Sequence, residues 1–141
     1  MREELVQLIP EFKRIQDPSL RQQTLDVWQE ALELGNWSVA ELEEMPFTLL
    51  VQDVSISFVQ HVRTVARLCL AMHSVLQESY GDLYEIGLDI LIAGALLADV
   101  GKLLEFKREE DAYAWSDTYQ YLRHPFTGVG LCYKHGIPAA V

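Results

Sequence analysis

Nine consecutive residues without a polar side chain, Ile90 to Ala98, run straight into an aspartate at position 99. A helix that is apolar on every side has no face to give to water, so this segment belongs at the centre of a domain with other elements packed around it. It is too short to cross a bilayer, which takes roughly 20 such residues. The flanking pattern predicts one helix from about Leu83 to Phe106, preceded by the stop Tyr80-Gly81-Asp82. Asp99 then sits at the end of the buried stretch, where a lone carboxylate is costly. It must be protonated, paired with a base, or bound to a cation, and Lys102, three positions on, offers an ion pair on the same face.

Helix punctuation recurs along the rest of the chain with no clear alternating strand, which gives an all-α expectation without internal repeats. A first helix is predicted over about Glu3 to Ile15 with Pro10 straining its middle. Asp17-Pro18-Ser19 restarts a helix that runs to Leu34, where Gly35 supplies a left-handed stop. Ser38-Val39-Ala40-Glu41 has capping-box spacing and opens a short helix that Pro46 ends. Phe47 to Val54 is the most strand-like stretch, but a lone strand has no ladder partner, so it reads as an extended connection. A long helix follows from about Ser57 to Ser79. Lys107 to Asp117 is charged and punctuated by Tyr113 and Trp115, the profile of an exposed connection with two aromatic anchors or of a lid. Pro125 starts a last helix, and Lys134-His135-Gly136 ends it before Pro138.

The histidines supply the candidate chemistry. His61 shares a helical face with Phe58, Val65, Leu68 and Met72, which directs its ring toward the core; a core histidine bonded to a carbonyl and a ligand are both compatible with that position. His124 stands in Leu122-Arg123-His124-Pro125, at a helix start that can hold an imidazole on rigid backbone. His61, Asp99 and His124 together form a mixed nitrogen and oxygen set suited to a divalent transition metal such as iron, manganese, cobalt, nickel or zinc. His135, in a helix-ending turn, and His73, on a helix surface, read as structural.

Charge and cysteine content narrow the partners. Twenty-one acids against eleven bases give a net charge of −10, which repels polyanions and leaves no large basic face, so no large nucleic acid is expected as partner. Met1-Arg2-Glu3-Glu4-Leu5 carries acid where a signal peptide carries base. Cys69 and Cys132 fit neither a zinc spacing nor a disulfide framework, so the expected compartment is a reducing cytoplasm, with no membrane association. At 141 residues the chain is long enough for one domain to build its own core without a structural metal.

Three blocks carry a resemblance. His61-Val62-Arg63-Thr64-Val65-Ala66-Arg67-Leu68, then Ala93-Gly94-Ala95-Leu96-Leu97-Ala98-Asp99-Val100-Gly101-Lys102, then Arg123-His124-Pro125-Phe126-Thr127-Gly128, resemble in order and spacing the histidine–aspartate (HD) superfamily of metal-dependent phosphohydrolases. The likeness covers about Ser57 to Val141, while residues 1–50 read as a helical lead-in to the same domain, 1–141. The resemblance implies an HD-like helical bundle in which His61 and Asp99 are ligands of a first metal and His124 of a second, bridged by Asp99. Ala98 stands where the family's histidine–aspartate doublet begins, and a methyl group coordinates nothing. The family's later His and Asp ligands have no counterpart before Val141, so the motif-bearing core, 57–141, is expected to be C-terminally incomplete.

The expected function is phosphohydrolysis of a phosphomonoester or small phosphodiester, impaired by Ala98 and the missing ligands. Asp99 and Lys102 are the expected catalytic groups, and Lys102, Arg63 and Arg123 the expected phosphate-binding cations. Alternatives are a non-catalytic binding or dimerisation module that keeps the fold, and a di-iron oxygenase. An apolar face left open in a single copy implies a homo-oligomer.

Overall fold

A computed structural model describes residues 1–51, 53–110 and 112–141. It is mostly helical with one small antiparallel hairpin. The helices are α1 (Arg2–Leu8), α2 (Pro18–Gly35), α3 (Phe58–Tyr80), α4 (Leu88–Leu97), α5 (Lys102–Glu105) and α6 (His124–Lys134); the strands are β1 (Phe106–Glu109) and β2 (Ala112–Trp115). Short 3-10 turns at Pro10–Arg14, Ala40–Glu43, Gly81–Leu83 and Asp117–Gln120 join them.

α4 is the central element, as its composition requires: Ile92, Ala93, Ala95, Leu96 and Leu97 are all buried, and α2 and α3 pack against it. The predicted helix from Leu83 to Phe106 is nevertheless broken in two. Val100 N–H turns back to the Leu97 carbonyl and Leu103 N–H to the Val100 carbonyl, so the chain tightens through Ala98–Gly101 before α5. This leaves the Leu96 carbonyl without its usual partner four residues on, and the indole of Trp28 in α2 donates to it at 2.9 Å. Trp37 does the same for the Leu103 carbonyl at 2.8 Å. Residues 1–50 thus do more than lead in: they satisfy the carbonyls freed where the motif helix bends.

Other expectations shift for local reasons. Pro10 ends α1 instead of straining it, and a 3-10 turn follows. The left-handed residue after α2 is Asn36, with φ 57°, while Gly35 stays helical. Glycine is needed at 35 for a different reason, since a Cβ there would stand 2.1 Å from the Leu103 carbonyl oxygen. Ser38 donates both its N–H and hydroxyl to Glu41, and the element that follows, Ala40–Glu43, is a 3-10 turn, not an α-helix. Phe47 to Val54 is irregular where described, with Pro46 bridged to Ser57.

α3 begins as predicted, with Ser57 and Gln60 in a reciprocal capping box. Its fully buried side chains, Phe58, Val59, Val62 and Ala66, end at Ala66; Leu68 and Met72 are 57% and 61% exposed, so the face assigned to His61 is covered only in its first turns. The largest departure from the all-α expectation is the hairpin. Phe106 pairs with Trp115 and Arg108 with Tyr113, where a loop or lid was expected. The two aromatic anchors do hold it: Tyr113 stacks on Trp37 and Trp115 packs edge-on against Phe106.

Candidate functional site

The bend after α4 carries Asp99 to a point where α3, α5 and the start of α6 meet. Gly101 makes this possible. A Cβ on it would lie 2.2 Å from the His124 carbonyl oxygen and 2.5 Å from Thr127 Oγ1, so only glycine lets the first turn of α6 rest on the bend. His124 is thereby brought beside a residue 25 positions earlier in the chain.

Asp99 is the hub. Its Oδ2 stands 2.9 Å from His61 Nε2 and 3.1 Å from the Lys102 ammonium, and its Oδ1 stands 3.4 Å from His124 Nε2. The ion pair with Lys102 is the plain alternative that the spacing offered, and it is present. Lys102 is nearly buried and also donates to the Phe47 carbonyl at 3.0 Å, which fixes its ammonium over the carboxylate. The Phe47 ring stacks on His61 with centroids 4.8 Å apart. His61, Asp99, Lys102 and His124 therefore lie together.

Behind His124 stands Glu105, only 1% exposed, with Oε1 accepting from the His124 backbone N–H and from Arg123 Nε, and Oε2 2.9 Å from His124 Nδ1. Arg123 is thus turned to Glu105, and its guanidinium lies over Tyr119, 4.7 Å from the ring centroid. Arg63 is turned away to the 3-10 turn, where its Nε meets both carboxylate oxygens of buried Glu11. Of the three cations expected to hold phosphate, only Lys102 touches the Asp99 carboxylate; the Nε atoms of the other two are committed to acids.

Sequence reasoning passed over Glu105, Phe47 and Glu11. For Glu105 a signal existed: it interrupts Leu103-Leu104-Glu105-Phe106 as Asp99 interrupts its own apolar run. Phe47 and Glu11 come from segments without motif, and only packing reveals them.

Ala98 is exposed and turned into an apolar cavity of about 690 Å³ between α4 and α6, lined also by Leu97, Pro125, Gly128 and Val129. Cys132 lies in the same lining, and burial pushes its thiol above the ordinary cysteine value, which makes it a poor nucleophile at neutral pH. His135 bonds Glu30 on the far surface and His73 approaches the Ile86 carbonyl, in keeping with structural roles.

The donors were tested against a metal. Ligands about 2.1 Å from an ion stand roughly 3.0–3.4 Å from one another, close to the spacings around Asp99. Each carboxylate oxygen, however, meets a different imidazole, so the donors fall into two pairs. Among the described residues no group of three or more His, Cys, Asp or Glu is arranged to hold one metal ion. A pair is one short of the three protein ligands usual at an open catalytic site. Lys102 moreover already neutralises Asp99. The described residues, taken alone, do not fit a retained metal.

Comparison with known proteins adds one relative. Over 84 residues the chain is similar to a phosphodiesterase. That protein is dihydroneopterin 2',3'-cyclic phosphate phosphodiesterase of Methanocaldococcus jannaschii, 36% identical over 59% of this chain. The chain spans only 32% of that relative's length. No family model matches the chain, and no solved structure matches it. No helix among the described residues is long and apolar enough to cross a membrane.

Proposed function

We propose that this chain carries the phosphoester-handling part of an HD-type hydrolase acting on a phosphomonoester or a small phosphodiester. One observation carries the reading: two imidazoles and one ammonium from three helices gather on a single carboxylate. Such groups suit the dispersed negative charge of a phosphoryl group. The similarity to a relative named as a cyclic-phosphate phosphodiesterase supports the same reaction class. In this reading Lys102 meets the phosphate, His61 and His124 flank it, and Asp99 holds Lys102 and His61 in register. Arg63 and Arg123 would reach phosphate only with the nitrogens that Glu11 and Glu105 leave free.

The metal belongs to the proposal as well. A divalent transition ion here requires a further donor for either pair, and position 98 is where the family pattern has one. Ala98 faces open space, so Ala98→His needs no repacking. The expected outcome is more bound metal per chain than in the unaltered protein after equal exposure, measured by elemental analysis. Turnover of bis(4-nitrophenyl) phosphate and 4-nitrophenyl phosphate, with and without added metal, is the companion assay. If Asp99→Asn binds phosphate and turns over ester as well as the unaltered protein, the site reading fails.

The donor arrangement favours a second reading, a non-catalytic module that binds phosphoesters through Lys102 and the imidazoles. Saturable binding of inorganic phosphate without turnover in either form would select it. Self-association belongs to both readings: Phe126, Val129 and Tyr133 project from α6 into solvent, and apolar groups so displayed favour a second copy. Light scattering over a concentration series reads this directly. Cytoplasmic residence rests on the free thiols of Cys69 and Cys132.

A further inference from the structure

We infer that Glu105 is a positioning residue that sets which edge of His124 faces the site. Glu105 lies at the end of α5 with its side chain almost wholly removed from water, and a buried carboxylate persists only where its oxygens are satisfied. Here three donors meet it, and two belong to His124: the backbone N–H, which fixes where α6 starts, and ring Nδ1. The third, Arg123 Nε, shares Oε1 with that backbone N–H. An ionised carboxylate only accepts, so Nδ1 must carry the proton in this contact. Asp99 Oδ1 makes the same demand on Nε2 from 3.4 Å, so a neutral ring has one proton for two carboxylates; Glu105, nearer at 2.9 Å and buried, takes it and leaves Nε2 bare.

The two anchors on one residue make the orientation specific. A bond to the ring alone would let the imidazole slide with the helix. A bond to the backbone alone would leave the ring free to flip. Held at both, His124 presents a lone pair toward Asp99 and not an N–H. That choice matters to a phosphoester ligand, because a bare nitrogen accepts a proton where an N–H would donate one. The use of that lone pair in phosphoester chemistry rests on the function proposed above. The anchoring itself does not, and its test needs neither substrate nor turnover.

The test is the tautomer of the neutral His124 ring, read from long-range proton–nitrogen correlation spectra. The expected result for the unaltered protein is a protonated Nδ1 and an unprotonated Nε2. Glu105→Gln keeps the shape but sets an amide donor against Nδ1 once its carbonyl oxygen stays with Arg123 and the backbone. The ring then exchanges to the Nε2-protonated form, while Glu105→Asp retains the original tautomer. An Nε2-protonated ring in the unaltered protein overturns the inference, and that measurement requires no variant to fold. An unchanged tautomer in a folded Glu105→Gln protein overturns it equally. An unaltered protein that neither binds phosphate nor turns over a phosphoester, with the tautomers as expected, would instead count against the phosphoester reading alone.

Discussion

The two imidazoles beside Asp99 reach it by different means. His61 is carried on the long helix α3 and steadied by a stacked ring, that of Phe47, whose backbone also holds Lys102. His124 stands in the first turn of α6 and is tied through backbone and ring to the buried carboxylate of Glu105. Each ring has a carboxylate 2.9 Å from one nitrogen, Asp99 for His61 and Glu105 for His124, but stacking restrains only the plane of the first, whereas Glu105 also holds the backbone of the second. The α3 side of the site is therefore expected to tolerate change, and the α6 side to depend on a few groups without substitutes.

Glu105→Ala should show the largest effect. It leaves the His124 backbone N–H and ring nitrogen without their acceptor in a buried place, at a cost of about 3 kcal/mol. The measurement is urea unfolding, and a loss below about 1 kcal/mol would deny the α6 side its special dependence. Gly101→Ala should follow at roughly 2 kcal/mol, because a methyl group against the His124 carbonyl and the Gly128 amide must push α6 away. Its nuclear resonance signature is a shift of the His124 ring with the His61 ring unmoved. Shifts of equal size in both would mean that the two sides are one rigid unit.

Phe47→Ala tests the other side. Phe47 is half-buried, and losing its stack on His61 should cost about 1 kcal/mol. The His61 resonances should broaden while the His124 tautomer stays as it was. A change at position 41, remote from both rings, sets the floor. The backbone N–H and hydroxyl of Ser38 hold the Glu41 carboxyl below its ordinary 4.5. A depressed value in the folded state gives stability that is present above about pH 4.5 and is lost as pH falls through the lower folded value. Glu41→Gln should thus weaken the fold by roughly 0.5 kcal/mol at neutral pH, and the difference from the unaltered protein should close on acidification. A difference that widens in acid would contradict the sign.

Asp99, His61 and His124 were legible as candidates because each breaks a pattern: an acid closing an apolar run, an imidazole among aliphatic neighbours, an imidazole just before a proline. The ion pair of Asp99 with Lys102 was equally legible from the three-residue spacing. Arg63 and Arg123 looked available because their acids are distant in sequence. Glu11 is 52 positions from Arg63, and Glu105 is 18 from Arg123. No local pattern reports a partner that far away.

What the sequence determined by itself is what depends on near neighbours. The capping box of α3, the proline at the start of α6 and the burial of Ile92 to Leu97 follow from spacing and side-chain chemistry within a few residues. Only the tertiary structure decided where the central helix bends, since the groups that meet the bend lie far away in sequence. These are Trp28 and Trp37, which satisfy two carbonyls from another helix and the turn after it, and α6, which packs against Gly101. The same holds for the hairpin: four charged and apolar residues of β1 have no strand character until β2 supplies the hydrogen-bonding partner and Trp37 the surface for Tyr113. Backbone groups must find partners wherever the chain places them, and that requirement is met across the whole fold, not within a window of sequence.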